Sequence, residues 1–101
     1  IFSVGGIDQA KDYFPGSVRF ETIRTAQNIT TYRTSNRMTE DRFDSKAGDI
    51  VEAPIENSLS IGFIFPADKK TYIVFCNVLG EGYEELASQC EKQVINTFII
   101  N

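Results

Sequence analysis

The feature that most constrains this fold is a change of hydrophobic period close to Gly80. Before it lie two stretches, Ser58–Pro66 and Thr71–Leu79, in which apolar side chains occur at every second position. A turn that begins at Pro66 separates them. After it, apolar side chains recur at helical spacing, at Tyr83, Leu86, Ala87, Cys90, Val94 and Phe98. Alternation is typical of strands, and spacings of three and four residues are typical of a helix. The sequence therefore predicts a β-hairpin followed by one amphipathic helix.

The second strand of this hairpin, Thr71–Leu79, is apolar on both of its faces. Ile73 and Phe75 occupy one face. The other face carries Tyr72, Val74, Cys76 and Val78. A strand of this kind is buried on both sides. We therefore expect it to be the central strand, with the helix on one side and more of the chain or a partner on the other. Residues 98–100 are expected to form a last edge strand.

Upstream of this hairpin the chain divides into shorter stretches. Residues 1–16 form an N-terminal strap, and residues 17–34 alternate apolar and polar side chains in the manner of another hairpin. Residues 35–49 are the most polar stretch and are predicted to be a loop. The sheet and the C-terminal helix occupy residues 50–101, where the first strand ends in Pro54, a residue typical of sheet edges.

Together these stretches make a single domain over residues 1–101, a usual length for one hydrophobic core. We expect an α+β fold: an antiparallel sheet of about five strands with one long C-terminal amphipathic helix, Tyr83–Thr97, packed on it. The strap adds a short helix, Asp8 to Phe14, which has too few turns to be stable without packing, so we expect the strap to be a lid and not part of the core. Because the chain begins at Ile1 and its single methionine is Met38, we expect a processed or trimmed product.

No residue pattern points to catalysis. The chain has no histidine, which excludes imidazole bases, Ser-His-Asp and Cys-His nucleophile systems and most zinc sites. It also has no glycine-rich phosphate loop. A calcium-binding frame from Asp41 to Glu52 fails at its sixth position, where Lys46 replaces the required glycine. The sequence therefore predicts a protein that is not an enzyme and has no catalytic residue, metal or cofactor.

Charge is distributed unevenly along the chain. All five arginines lie between residues 19 and 42, whereas acidic residues outnumber lysines beyond residue 43. The net charge of −4 argues against nucleic-acid binding, which needs many cations on one face. Two interpretations of the arginines stay open: they face water along a sheet, or they form a docking surface for a protein partner or for lipid headgroups. The predicted partner-binding residues are Arg19, Arg24, Arg33 and Arg37.

Cys76 and Cys90 both point into the layer predicted between the sheet and the helix. Two buried thiols and a disulfide are both compatible with these positions, because a free cysteine packs as a small hydrophobe. A bridge would close a loop of about 15 residues and stabilise the domain by roughly 3 kcal/mol. It would also place the protein in an oxidising compartment. Redox catalysis is not expected, since the pair is not C-x-x-C.

One short motif concerns covalent modification. Asn28, Ile29 and Thr30 fit the N-glycosylation sequon, at the predicted start of the second strand of the 17–34 hairpin. Three-residue patterns are frequent by chance, so the sequence alone favours an unmodified asparagine.

The C-terminal region resembles a known family. The strand Lys70-Thr71-Tyr72-Ile73-Val74, the aromatic Tyr83 opening a helix, and the segment 94–100 are similar to the end of the PsbP and Mog1-like α/β/α sandwich domain. The match covers about 45 residues. The resemblance implies that sandwich fold and a non-catalytic accessory protein of the thylakoid lumen, attached to a photosystem. The family's N-terminal functional segment has no counterpart here, and Thr97 stands where the family usually has serine, so no binding residue is carried over.

The sequence thus predicts a non-catalytic accessory or assembly subunit in an extracytoplasmic compartment or organelle lumen. It would dock on a larger, membrane-associated protein complex through the arginine-bearing hairpin and its edge strands, and would meet the membrane only through that partner. The alternative is a small-molecule or ion-binding module of an extracytoplasmic compartment. Its pocket would lie between sheet and helix, with Tyr72, Phe75 and Tyr83 near the mouth.

Overall fold

The structure, a computed structural model, describes residues 2–14 and 18–98. Along these residues the elements are β1 (Phe2–Val4), α1 (Ile7–Lys11), β2 (Glu21–Arg24), β3 (Thr30–Asn36), β4 (Thr39–Asp44), β5 (Asp49–Pro54), β6 (Ser58–Pro66), β7 (Thr71–Leu79) and α2 (Tyr83–Thr97). Five strands form one antiparallel sheet in the order β1-β7-β6-β3-β2, and β4 pairs with β5 alone. The predicted α+β fold with a long C-terminal helix is therefore confirmed.

One face of the sheet is covered by α2. Phe63 and Phe65 of β6 and Val74 of β7 point to this face, and none of them is more than 5% exposed. Ala87, near the middle of α2, is buried against them. Burying a side chain of the size of Phe or Val stabilises a fold by about 1.5–3 kcal/mol, so this layer is the main source of stability. The alternating apolar side chains of β6 and β7 and the apolar face of α2, both evident in the sequence, pack against each other in this layer.

The opposite face is covered by the N-terminal strap. Ala10 of α1 and Phe14 pack on Ile64 and Ile73, and all four are buried. The ring of Phe14 lies directly over Gly62, where an added Cβ would stand 2.2 Å from the Phe14 Cε1 atom. A side chain at this position would displace the strap. The strap is therefore part of the core, and the expectation that it lies outside the core is wrong.

The sheet extends further at its β7 edge than the sequence predicts. A short strand, β1, pairs with β7 and places Phe2 opposite Ile73. As a result β6 is the middle strand of five, and the prediction that Thr71–Leu79 is central is wrong by one position. A strand of three residues has no readable alternation, which explains why it was missed. The predicted strand at 98–100 lies outside the described residues except for Phe98, which caps α2.

The predicted loop over residues 35–49 is wrong for most of its length. β3 continues to Asn36, and β4 occupies Thr39–Asp44 in full pairing with β5. Strands are recognised in sequence by a buried face, and neither face of this hairpin is buried. The hairpin predicted within 17–34 is present as β2 and β3.

Candidate functional site

The β4–β5 hairpin, residues 39–54, stands apart from the sheet and is called the arm below. Its two six-residue strands pair only with each other, and no other described helix or strand packs extensively on them. Phe43 is 70% exposed and Ile50 is 65% exposed. An isolated two-stranded hairpin contributes little to stability, so two large apolar side chains held in water here need another explanation.

The arm is held at its root by one buried hydroxyl. Ser58, the first residue of β6, is 1% exposed. Its Oγ donates to the carbonyl oxygen of Ile55 at 2.6 Å and accepts from the backbone N–H of Met38 at 3.2 Å. The N–H of Ile55 donates to the carbonyl of Met38 at 2.8 Å. These bonds fix the two ends of the arm at the point where they leave the sheet.

The tip of the arm is shaped by local turn chemistry. The Asp44 carboxylate accepts the backbone N–H of Lys46 at 2.9 Å, in the manner of an Asx turn. Gly48 has φ +68°, a left-handed conformation that glycine adopts without a steric cost, and its N–H donates to the Asp44 carbonyl at 2.8 Å. The arm therefore has a defined hairpin shape without a core of its own.

Strand register places four side chains on one side of the arm. Phe43 lies directly opposite Ile50, and Asp41 lies opposite Glu52. Positions two apart on a strand point to the same side, so these pairs share one surface, which we call the acidic-apolar face. The sequence carried a signal for it, since two bulky apolar residues flank the polar Asp44-to-Asp49 turn symmetrically. The pairing is not predicted because the sequence places Phe43 in the loop of residues 35–49 and Ile50 in the strand that follows it.

Charge on the arm is predominantly negative. Five acidic side chains face two basic ones between residues 39 and 54. On the side opposite the acidic-apolar face, Arg42 pairs with Glu40 at 2.5 Å. In the part of the chain that the structure describes, no basic side chain lies within ion-pair distance of Asp41 or Glu52. Like charges directly opposite each other destabilise a hairpin, so this pair costs the free protein stability.

Arg33, one of the predicted partner-binding residues, ties the sheet to α2. Its guanidinium donates two hydrogen bonds to Glu91, at 2.7 and 3.1 Å, and a third to Glu21 at 2.8 Å. The side chains of Arg33 and Glu91 are only 22% and 24% exposed. Hydrogen bonding to Glu91 raises the pKa of Arg33 above its ordinary value, so the guanidinium of Arg33 stays charged at physiological pH. Its contacts within the domain occupy this arginine.

The other predicted arginines lie at separate places. Arg24 is at the end of β2, on the opposite face of the sheet from Arg33 according to the strand register, and it donates to the Asn28 side chain at 2.5 Å. Arg19 lies just before β2, and Arg37 just after β3. The structure therefore does not bring the four together on one face, and their role in partner binding stays a prediction.

The two cysteines form a disulfide. The Cys76 and Cys90 sulfurs are bonded at 2.08 Å, with their Cα atoms 6.1 Å apart. The bond joins β7 to α2 inside the layer between them, where Cys76 is 2% exposed. Of the two interpretations that the sequence left open, the structure contains the bridge. This covalent link fixes the helix to the sheet.

The aromatic mouth predicted for a ligand pocket is absent from the described residues. Phe75 packs with Phe14 on the strap side, whereas Tyr72 packs against Phe98 on the α2 side, so the two cannot line one opening. An open cleft of about 380 Å³ does lie between β6 and α2. Glu91, already paired with Arg33, is part of its wall.

Two further findings concern the described residues only. No three or more Cys, Asp and Glu side chains among residues 2–14 and 18–98 are grouped closely enough to hold a metal ion. None of the helices described there has the length and apolar content needed to cross a bilayer.

What this protein does is inferred from the chemistry of its surface. The resemblance of the C-terminal region to the PsbP and Mog1-like domains stays a prediction. No protein-family model, no curated protein and no solved structure matches the chain.

Proposed function

We propose that this protein is a non-catalytic accessory or assembly subunit that binds a larger protein complex through the acidic-apolar face of the arm. The observation that carries the proposal is the cross-strand pair of Phe43 and Ile50, both more than 60% exposed on a hairpin with a defined shape. Exposed aromatic side chains on a rigid element are typical anchors of protein interfaces. We place the protein in an oxidising, extracytoplasmic compartment because of its disulfide.

The opposed carboxylates of Asp41 and Glu52 indicate the chemistry of the partner. Their mutual repulsion costs stability in the free protein. A lysine or arginine of the partner placed between them would remove that repulsion and form two charge-assisted hydrogen bonds. The partner surface is therefore an apolar socket for Phe43 and Ile50 with basic residues at its rim. A membrane-associated complex of this composition would recruit the protein without lipid contact.

The arm can be removed without disturbing the sheet. The N–H of Ile55 already donates to the carbonyl of Met38. This is the hydrogen bond that would close a β-turn if only two residues stood between them. Replacing residues 39–54 by Asn-Gly would place a two-residue turn between them, and this dipeptide favours such turns. The shortened protein keeps β3, β6, β7 and α2, and it serves as the matched control for a role of the arm.

The experiment is site-specific photo-crosslinking in an extract of the protein's native source. A benzophenone amino acid is placed at position 43 in the arm or, as control, at position 13, where Tyr13 is also exposed, at 56%. We expect one protein to be crosslinked from position 43 and not from position 13. With that protein purified, Phe43→Ala/Ile50→Ala should weaken binding at least tenfold, and Asp41→Asn/Glu52→Gln should reduce both the affinity and its dependence on salt.

The arginines provide the opposing test. Arg19→Glu/Arg24→Glu reverses two charges outside the arm and should leave the affinity for the crosslinked protein unchanged. The proposal is wrong if this variant abolishes binding while the arm-less protein binds normally. That result would instead locate docking at the β2–β3 hairpin. Crosslinking of the chain to itself from position 43 would contradict the proposed partner by showing that the arm joins two copies.

A further inference from the structure

We propose that Asn28 is an N-glycosylation site, so that the turn between β2 and β3 carries an oligosaccharide. Asn28, Ile29 and Thr30 are the only N-x-S/T sequence in the chain. The disulfide supplies a second condition, because oxidative folding and N-glycosylation occur together in the eukaryotic secretory pathway. The motif by itself is weak, and the geometry of the turn is what distinguishes this copy from a chance match.

The turn presents Asn28 to solvent in a fixed position. The N–H of Asn28 donates to the carbonyl of Thr25 at 2.9 Å, and the N–H of Thr25 donates to the carbonyl of Ile29 at 3.0 Å. Asn28 is exposed and has φ +62°, which asparagine tolerates better than most residues. The neighbouring Ala26 donates to the carbonyl of Ile95 at 3.1 Å, which anchors the turn to the end of α2.

The amide of Asn28 is oriented with its nitrogen available. Arg24 Nη1 lies 2.5 Å from Asn28 Oδ1, and since a guanidinium can only donate, the acceptor must be the amide oxygen. Nδ2 therefore occupies the other position of the amide. Within the described residues Nδ2 makes no hydrogen bond, so replacing one of its hydrogens by a sugar breaks no contact there.

The covalent step is a transfer to this nitrogen. A lipid-linked pyrophosphate oligosaccharide is the donor, and the host oligosaccharyltransferase is the catalyst. A bond forms between Nδ2 and the anomeric carbon of the first sugar, and the bond from that carbon to the pyrophosphate breaks. The lipid pyrophosphate leaves with the electron pair, and the proton lost from Nδ2 passes to the solvent. Thr30, the first residue of β3, supplies the sequon hydroxyl that the transferase recognises before the strand pairs.

A glycan here would cover an exposed edge. β2 is the last strand of the sheet, and its outer backbone groups have no neighbouring strand among the described residues. Such edges pair with other chains unless something bulky or charged blocks them. The turn lies at the opposite end of β3 from the arm, so the glycan would leave the acidic-apolar face free.

The test expresses the full chain behind a secretion signal in eukaryotic cells and analyses its peptides by mass spectrometry before and after treatment with peptide N-glycosidase. We expect a glycopeptide containing Asn28 in the wild type and none in Asn28→Gln or Thr30→Val. Thr30→Val keeps a β-branched side chain for the strand. Asn57→Gln should leave the modification unchanged. Asn57 is a matched control, exposed with φ +54° but followed two residues later by Leu59.

A new sequon in the arm makes a negative result decisive. Ser45→Asn/Ala47→Thr places an N-x-T sequence in the exposed β4–β5 turn. The proposal is overturned if this variant is glycosylated in the arm while Asn28 stays unmodified in the secreted, disulfide-bonded protein. The proposal is equally overturned if the mass removed by the glycosidase persists unchanged in Asn28→Gln, because the glycan would then be attached elsewhere. Neither result bears on partner binding by the arm, which is measured separately.

Discussion

The chain contains two antiparallel hairpins that differ in what their side chains contact. In β6–β7, Phe63 and Ile61 are at most 2% exposed between the sheet and α2, whereas in the arm Phe43 and Ile50 are at least 65% exposed. Both hairpins have complete backbone pairing. One is stabilised by burial under a helix that a disulfide fixes, and the other by its turn and its root. Secondary structure alone therefore does not indicate which residues stabilise this domain.

The largest difference is expected when the same residue type is truncated in each hairpin. Phe63→Ala should lower the free energy of unfolding by about 3–5 kcal/mol, because it leaves a cavity in a packed layer. Phe43→Ala should change it by less than about 0.5 kcal/mol, since that ring is already in water. Urea denaturation followed by circular dichroism measures both. If Phe63→Ala fails to fold, Phe63→Leu is the milder substitute. Equal losses at positions 63 and 43 would mean that the arm is packed in solution.

Removing the disulfide should destabilise the packing of α2 on the sheet and leave the arm unchanged. Cys76→Ala/Cys90→Ala opens the link between β7 and α2 and is expected to cost roughly 3 kcal/mol in the free energy of unfolding. The amide hydrogens of the arm that exchange by local opening should exchange at the same rate in this variant. Opening of the arm does not require α2 to detach from the sheet. Hydrogen exchange with mass spectrometry resolves the two regions. As a control, a reductant should destabilise the wild type and leave this variant unchanged. Loss of protection in both the arm and the β6–β7 hairpin of the variant would show that the two hairpins are coupled.

The root of the arm is the place where the two regions meet. Ser58→Ala removes the hydroxyl that bonds both Met38 and Ile55, which should cost about 1–2 kcal/mol. It should also raise hydrogen exchange within residues 39–54. Ser60→Ala is the control, since the hydroxyl of Ser60 lies at the surface and donates to the side chain of Asn77, outside the arm. An arm that exchanges as slowly in Ser58→Ala as in the wild type would argue that its own turn suffices.

The smallest effect is expected for ion pairs. A double-mutant cycle with Arg33→Met and Glu91→Gln should give a coupling energy of about 0.5–1 kcal/mol, because the pair is bidentate and mostly shielded. The cycle with Arg42→Met and Glu40→Gln on the arm should give close to zero, because both side chains are about half exposed. Measuring both cycles at low and high salt sharpens the contrast. A larger coupling on the arm would contradict it.

The sequence predicts the well-buried half of the molecule accurately. β6, β7 and α2 begin and end at the predicted residues because each has a buried face that imposes a period. Strap packing was misjudged because the contact of Phe14 with Gly62 joins residues that are far apart in sequence. For the same reason, no local pattern could show that Arg33 pairs with Glu91.

The candidate site was harder to predict than the fold. β4 has no buried face, so its hydrophobic pattern is that of a loop, whereas β5 is predicted as a strand but not as the partner of β4. Its pairing depends on the Asp44 and Gly48 turn, which is a local signal but does not reveal how far the strands extend. Phe43 and Ile50 could be found only by counting outward from that turn.

The arm also has a consequence for how quickly the domain forms. β3 and β6 are neighbours in the sheet, yet the whole arm separates them in sequence. A hairpin forms in about 1–10 μs, earlier than most long-range contacts. Once paired, the arm holds Met38 beside Ile55 and shortens the remaining loop several-fold, which lowers the entropic cost of joining β3 to β6 by about 1 kcal/mol. The segment that contributes least to the final stability is therefore expected to speed the pairing of the strands that contribute most.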